Sequence, residues 1–320
     1  MRKIAVLGQF VGEAHRAKIN GIAEKYGFAV DYYPENFVPE ERAAEYEVLY
    51  GFPKPSMLKS MTSMRWFCSC SAGVDIYNDE ALYARPVMLT NSAGAYGVTI
   101  SEHIIMVILM LLRRMPDFQK ITARHGWQQE IPMGSIAGSR ITVLGTGDIG
   151  TTFARKAKAM DAAYICGVRR SDKPADSCFD RTISFSRLDE VLPDTDILVM
   201  ALPGTSETEH IMNAHRIALL PESAILVNVG RGLSLDQDAL ADALNHDRLA
   251  GAALDVMVPE PLPENHPLWN AKNILITPHC SGNFSLQITR DRDVELFCEN
   301  LENYGAGRPL TRLVDRHLGY

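Results

Sequence analysis

Ile141-Thr-Val-Leu-Gly-Thr-Gly-Asp-Ile-Gly150 decides the fold. A short apolar run enters G-x-G-x-x-G, and a helical pattern continues over 151–160, so the stretch reads as strand, tight turn and helix. Gly145 permits the turn, Gly147 lets backbone approach a pyrophosphate, and Gly150 lets the helix pack closely on the sheet. Amides at the helix start, at its positive dipole end, form a site for phosphate. A glycine turn of purely structural use is the alternative. The strand before the loop and the helix after it favour dinucleotide binding, with Gly145, Gly147, Asp148, Ile149 and Gly150 as candidate contacts.

The pattern outward from this loop is uniform. Downstream and around it, candidate strands fall at 141–144, 163–168, 197–201, 224–229, 251–254 and 274–277, separated by helical patterns. Upstream, a first series places strands at 3–7, 28–32, 47–50, 65–70 and 87–91, with a helix over 13–26. One long helix is expected from about 99 to 125, with Ser101 and Glu102 as its polar start. The stretch 128–139, with Pro132, Gly134 and Gly138, is a turn-rich link, and 285–304 is helical in pattern. Strands alternating with helices from end to end specify an α/β chain of two Rossmann-like, doubly wound parallel-sheet domains.

Composition excludes other classes. The 320 residues are 46% hydrophobic and 22% charged, the balance of a globular protein of roughly two domains. A net charge of −7 is the wrong footprint for a nucleic acid partner. It leaves room for a small anionic ligand held by local arginines. The six cysteines form no C-x-x-C pair and no zinc spacing, so no metal is expected and reduced thiols of a cytoplasmic protein are. The first ten residues turn polar too early for a signal peptide, and the longest apolar run, 104–112, is a buried helix rather than a ~20-residue membrane span.

Open α/β sheets bind ligands outside the carboxyl ends of their strands. After 163–168 comes Arg169-Arg170-Ser171, where an NAD enzyme would place an acid on the ribose 2′-hydroxyl. Two guanidiniums and a hydroxyl suit a 2′-phosphate instead, so NADP(H) is expected as the preferred cofactor with NAD(H) possible. A solvated arginine pair is the alternative. After 224–229 comes Gly230-Arg231-Gly232; after 251–254 comes Asp255, then Glu260 between Pro259 and Pro261; after 274–277 comes Pro278-His279. An anion clamp, a carboxylate and an imidazole are what hydride transfer to a 2-keto acid, or from a 2-hydroxy acid, requires. Arg231 would bind the substrate carboxylate and polarise the carbonyl. His279 would move the hydroxyl proton, and Glu260 would orient it.

These residues bring the chain to a family. It resembles the D-isomer-specific 2-hydroxyacid dehydrogenases, of the glyoxylate/hydroxypyruvate reductase kind. The matching pieces are Ser71-Ala-Gly-Val-Asp75, Thr90-Asn-Ser-Ala-Gly94 with Ile100-Ser-Glu-His103, the glycine loop, Asn228-Val-Gly-Arg-Gly232, Ala253-Leu-Asp-Val256 with Glu260-Pro-Leu-Pro263, and Thr277-Pro-His279 with Ser281-Gly282. The resemblance implies Arg231, Glu260 and His279 as the catalytic trio, and substrate carboxylate at the amides of Ala72, Gly73 and Val74. It implies nicotinamide contacts at Asp255 and Gly230–Arg231, with Val229, Ser281 and Gly282 also in the cofactor set, and an adenine end near Ala201, Leu202 and Arg169. It further implies an interrupted topology: a flavodoxin-like substrate domain of residues 1–97 plus 287–320, a dinucleotide-binding domain of residues 98–286, and a cleft between them. A homodimer formed through the nucleotide domain is expected.

The chain departs from the family pattern at Arg169, which replaces a frequent acid, and at the unusual run Met257-Val258-Pro259, which keeps the spacing to Glu260. No regulatory domain is expected after residue 320. An NAD-using member of the same family and a dinucleotide-sensing, corepressor-like binding protein are the competing readings. Formate oxidation fits less well, because that chemistry goes with Gln where Glu260 stands. Tyr50–Pro53, Tyr96 and Phe284 are candidates for the side-chain pocket of the substrate.

Overall fold

The computed structural model describes residues 2–320. In chain order, β1 (Arg2–Leu7), α1 (Glu13–Lys25), β2 (Phe28–Tyr33), α2 (Glu40–Ala43), β3 (Val48–Gly51), β4 (Trp66–Ser69) and β5 (Met88–Thr90) come first. Next are α3 (Gly97–Leu112), α4 (Met115–Ala123), β6 (Arg140–Leu144), α5 (Asp148–Ala159), β7 (Tyr164–Arg169) and β8 (Arg181–Ser184). Then follow β9 (Ile197–Met200), α6 (Ala214–Leu219), β10 (Ile225–Asn228), α7 (Gln237–Asn245), β11 (Gly251–Leu254), β12 (Ile274–Ile276) and α8 (Gln287–Gly305). The chain divides into two compact units: residues up to Tyr96 with Asn283–Tyr320, and Gly97–Gly282.

Each unit is a parallel sheet with helices. In the first, the strand order is β2-β1-β3-β4-β5. The strand β1 sits between β2 and β3, and Ile4 to Leu7 are all buried, the near-continuous apolar reading of a strand covered on both faces. The closing helix α8 lays Val294, Phe297, Cys298 and Leu301 onto the same core as Ile4, Val6, Tyr50 and Trp66. Val294, Phe297 and Leu301 each contribute about 1.5–3 kcal/mol by burial. In the second unit the order is β12-β11-β10-β9-β6-β7-β8. The sheet reverses direction of growth at β6, between β7 and β9, and the glycine turn leaves from that switch point.

The long helix expected over 99–125 is two helices. It begins earlier, at Gly97, so Ser101 lies buried inside it with its hydroxyl donating to the carbonyl of Val98. It stops at Leu112, and Arg114 adopts a left-handed conformation at φ 56° before α4 starts. Pro116 explains the break. It has no N–H to continue the ladder, and its ring would clash with the carbonyl four residues back, at Leu112. The sequence reading also missed β8, a four-residue edge strand with only Ile183 fully buried, too polar to register as a strand. Among the described residues, no helix is long and apolar enough to cross a membrane.

Candidate functional site

The second unit assembles most of the expected site at the carboxyl ends of adjacent strands. Gly145 follows β6 with φ +101°, and a Cβ there would lie 2.4 Å from the carbonyl oxygen of Ala201, so only glycine fits. A Cβ on Gly150 would meet the carbonyl of Gly145 at 1.9 Å, which lets α5 start directly against the turn. Gly147 is the cap of α5, exposed and with open space where a side chain would be. The first-turn amides of Asp148 and Ile149 have no intrahelical acceptor. A cradle that a Cβ would fill, at the start of a helix, fits a dinucleotide pyrophosphate. Asp148 contributes backbone here, since its carboxylate turns toward Gly97 of α3. Leu202, Val229 and Gly230 are buried beside the turn, and Ala201 is half-buried.

At the ribose end, Arg169 closes β7 and is half-buried. Its neighbour Arg170 points its Nε at Glu207, 2.7 Å away. The two arginines are therefore not equivalent: Arg170 is held by a carboxylate of the loop after β9, and among the described residues Arg169 has no such ion pair. Ser171 is half-buried at the same turn.

The structure brings Glu260 and His279 together. His279 Nδ1 is 2.7 Å from Glu260 Oε2, and the other oxygen of Glu260 accepts from the amide of Met257 at 2.9 Å. The side chains are about half and one-third exposed, and among the described residues His279 Nε2 has no hydrogen-bond partner. With Nδ1 turned to the carboxylate, Nε2 is the nitrogen left to exchange a proton with a ligand. Both proline bonds flanking Glu260, Val258-Pro259 and Glu260-Pro261, are cis. Gln237 holds the start of this loop, accepting from the amide of Val258 at 2.9 Å and donating to its carbonyl at 2.6 Å.

Arg231 is held by its backbone. Its carbonyl accepts from Asn228 Nδ2 at 3.0 Å and from the Ser234 hydroxyl at 2.7 Å. A Cβ on Gly232 would lie 2.2 Å from the carbonyl carbon of Met257, so glycine there seats the Arg231 turn against the loop that leads to Glu260. The guanidinium donates from Nη1 to the carbonyl of Gly230 at 2.9 Å.

Asp255, expected at the nicotinamide, is 2% exposed and engaged by its own chain. It accepts from the Thr277 hydroxyl at 2.6 Å and from the amides of Cys280 and Ser281 at 3.0 and 3.1 Å. Burial pushes its carboxyl up, but the donors of Ser281, Thr277 and Cys280 outweigh burial and hold it below the usual carboxylate range. These bonds tie down the turn on which His279 sits at φ 50°, a left-handed conformation uncommon outside glycine. The amide of His279 donates to the backbone carbonyl of Asp255 at 2.8 Å. His103 on α3 backs the same turn: its Nε2 is 3.4 Å from the Thr277 hydroxyl. Burial lowers the His103 pKa, with Asp255 opposing, which favours the neutral ring. Asp255, Asn228 and Gln237 as positioning groups were not legible in the sequence, because nothing in residue type shows which hydrogen bonds a carboxylate or amide will make.

The first unit holds the loop Ala72–Val74. Among the described residues, none of its three amides has an acceptor, while the Ala72 carbonyl accepts from Asn91 Nδ2 at 3.1 Å. Three unengaged N–H groups in one short loop can receive a carboxylate. Beneath the loop, Asp293 of α8 is fully buried and takes a 2.5 Å bond from the Tyr50 hydroxyl. Ser92 Oγ contacts both Asp293 Oδ1 and the carbonyl of Ser69. A hydroxyl has one proton, and a carbonyl cannot donate. When Ser92 donates to Ser69, the Asp293 oxygen must carry the proton of the second bond. Burial accordingly pushes the Asp293 carboxyl up to about 7, against the lowering effect of Ser92 and Tyr50.

Comparison with known proteins identifies the family. The family described as D-isomer specific 2-hydroxyacid dehydrogenase, NAD binding domain, matches residues 105–281. A glyoxylate reductase of Aeropyrum pernix is 30% identical over 270 residues, covering 82% of this chain and 79% of that protein. The crystal structure of a D-isomer specific 2-hydroxyacid dehydrogenase family protein from Aeromonas salmonicida superposes with a TM-score of 0.86 at 30% identity, covering 98% of this chain and 99% of that one. An NADPH-dependent glyoxylate/hydroxypyruvate reductase from Sinorhizobium meliloti, solved with NADP and sulfate, gives 0.83 at 26% identity with full coverage of both chains.

Proposed function

From the premise that the chain belongs to the D-isomer-specific 2-hydroxyacid dehydrogenases, and so is an NAD(P)-dependent oxidoreductase, we propose that it reduces 2-keto acids to D-2-hydroxy acids with NADPH as preferred cofactor. The observation that carries this reading is the contact of Glu260 with His279, which leaves the far ring nitrogen available. When bound, the reduced nicotinamide supplies a hydride to the carbonyl carbon. The residues of the chain do the rest. Arg231 holds the carboxylate and polarises the carbonyl, as a planar guanidinium suits. His279 gives a proton from Nε2 to the carbonyl oxygen, so the π bond of C=O is replaced by a C–H and an O–H bond while the C–O single bond stays. Glu260 keeps the ring oriented and stabilises its charged form. In the first unit, the amides of Ala72, Gly73 and Val74 are suited to a carboxylate.

Arg169 supports the NADP preference, and NAD use at lower efficiency is expected. The Sinorhizobium relative and a Xanthobacter autotrophicus relative, at 26% identity each, were both solved with NADP or NADPH, which supports the same choice. Exposed Val98 and Met106 on α3 support a homodimer through the nucleotide-binding unit. The reading places the protein in the cytoplasm. The test is reduction of a set of 2-keto acids followed by cofactor absorbance, with NADPH and NADH in parallel. Turnover with NADPH favoured is the expected result. Tight NADPH binding without turnover of any keto acid would establish a dinucleotide-sensing binding protein instead.

A further inference from the structure

The first unit carries a cavity of about 690 Å³, within the range that holds drug-sized ligands and far beyond what a two-carbon keto acid fills. It stands at the carboxyl edge of the sheet, where β1, β2, β3 and β4 end: Gly8 to Phe10, Pro34 to Asn36, Phe52 and Cys70 follow those four strands in turn. The growth of this sheet reverses at β1, between β2 and β3, and open α/β sheets bind ligands at such a point. Ser71 lines the cavity too, and it is the residue before the loop of three unengaged amides. A carboxylate on that loop would therefore have its α-substituent beside the cavity.

The walls are aromatic. Phe10 and Phe284 stack with centroids 4.5 Å apart, and Tyr96 meets Phe284 edge-on at 6.1 Å. Phe52 is held edge-on against Tyr77. The floor, Cys70 with Tyr96, is neutral, because burial pushes both the thiol and the phenol well above their ordinary values. Among the lining residues Glu35 alone carries a charge, and no lysine or arginine is present.

Resting on the reductase reading above, we propose that this cavity receives the substrate's side chain and selects 2-keto acids with a bulky, uncharged aromatic or branched apolar group. Flat aromatic walls reward a ring with dispersion and edge-to-face contact. A second carboxylate or a phosphate finds no cation there and faces Glu35. Apolar pockets separate substrates by about 10–200-fold per methylene-scale difference, so the effect is measurable.

The experiment measures kcat/KM for phenylpyruvate, 4-methyl-2-oxopentanoate, glyoxylate and 2-oxoglutarate, with NADPH and with NADH. Phenylpyruvate and 4-methyl-2-oxopentanoate should exceed glyoxylate by about tenfold or more, and 2-oxoglutarate should be poorest. Phe10→Ala should lower the phenylpyruvate-to-glyoxylate ratio. Glu35→Lys, at an exposed position that tolerates change, should raise the 2-oxoglutarate-to-phenylpyruvate ratio by about tenfold through a new charge-assisted contact. Glyoxylate used as well as phenylpyruvate, or ratios unmoved in both variants, overturns the pocket assignment and leaves the reductase reading standing. No turnover of any of the four with either cofactor overturns both.

Discussion

Glu260 grips His279 from one side only: Oε2 meets Nδ1 at 2.7 Å, while Oε1 is anchored by the amide of Met257. The carboxylate is thus fixed by its own loop and fixes the imidazole in turn. His279→Ala removes the proton donor and should lower kcat/KM for keto-acid reduction by about 10²–10⁴-fold. Glu260→Gln keeps the shape and loses the charge, so it should cost less than His279→Ala. Steady-state kinetics on the two variants checks this order, and wild-type turnover in His279→Ala would remove the histidine from the mechanism.

Arg231 is the second test. Arg231→Lys keeps a positive charge and loses the planar fork. It should lower kcat/KM by about 10²-fold, the scale of one lost donor on a developing charge. NADPH affinity, read by fluorescence titration, should stay within a few-fold of wild type. Unchanged kcat/KM would refute the clamp.

Cofactor choice should follow Arg169 rather than Arg170, because Glu207 already engages Arg170. Arg169→Asp places a carboxylate against the 2′-phosphate and should shift the NADPH-to-NADH ratio of kcat/KM by about 10–150-fold toward NADH. Arg170→Ala should shift it less. Equal use of both cofactors by the unaltered enzyme, or a larger effect from Arg170→Ala, contradicts this assignment.

Asp255→Ala strands the buried amides of Cys280 and Ser281 and the Thr277 hydroxyl. It should destabilise by about 1–3 kcal/mol and lower kcat/KM as the His279 turn loosens. The folded-state carboxyl lies below its ordinary value, so its contribution is present above about pH 4 and fades as pH falls through the lowered value. Chemical denaturation of wild type and variant should therefore differ most near neutrality and converge in acid.

Asp293 has the opposite sign. Its carboxyl is pushed up to about 7, so between about pH 4 and that value the folded chain keeps a proton that the unfolded chain has lost. Stability should fall as pH rises across this window, by up to about 1.4 kcal/mol per pH unit from this group. Asp293→Asn retains an N–H toward Ser92 and an oxygen toward Tyr50, and should flatten the slope. Denaturation midpoints measured across the window check this, and an unchanged slope would show that the wild-type group is ionised throughout.

Where the sequence reading fell short, the cause lies in what local pattern encodes. Apolar runs marked the strands around the glycine turn to within a residue or two, because strands buried on both faces leave little choice of side chain. The edge strand β8 escaped because it is only partly covered at the rim of the sheet, so Arg181, Thr182 and Ser184 are tolerated there. The break between α3 and α4 was written in Pro116, yet the apolar periodicity on both sides masked it. Glu260 and His279 were legible as a pair because each follows a strand end, and strand ends of one parallel sheet lie side by side.

The sequence by itself determined the α/β class and the glycine turn after β6, and it offered Arg231, Glu260 and His279 as candidates, since each rests on residue type and spacing along a strand or turn. Tertiary structure alone decided that Asp255 serves the His279 turn and that Arg170 is bound to Glu207. It also decided that Asp293 sits buried against Ser92 and Tyr50, and that the rings of Phe10 and Phe284 meet. Phe10 and Phe284 stand at opposite ends of the chain, as do Tyr50 and Asp293. Hydrogen bonds, burial and cavity volume arise only when such distant residues come into contact, and no local pattern of residues records those contacts.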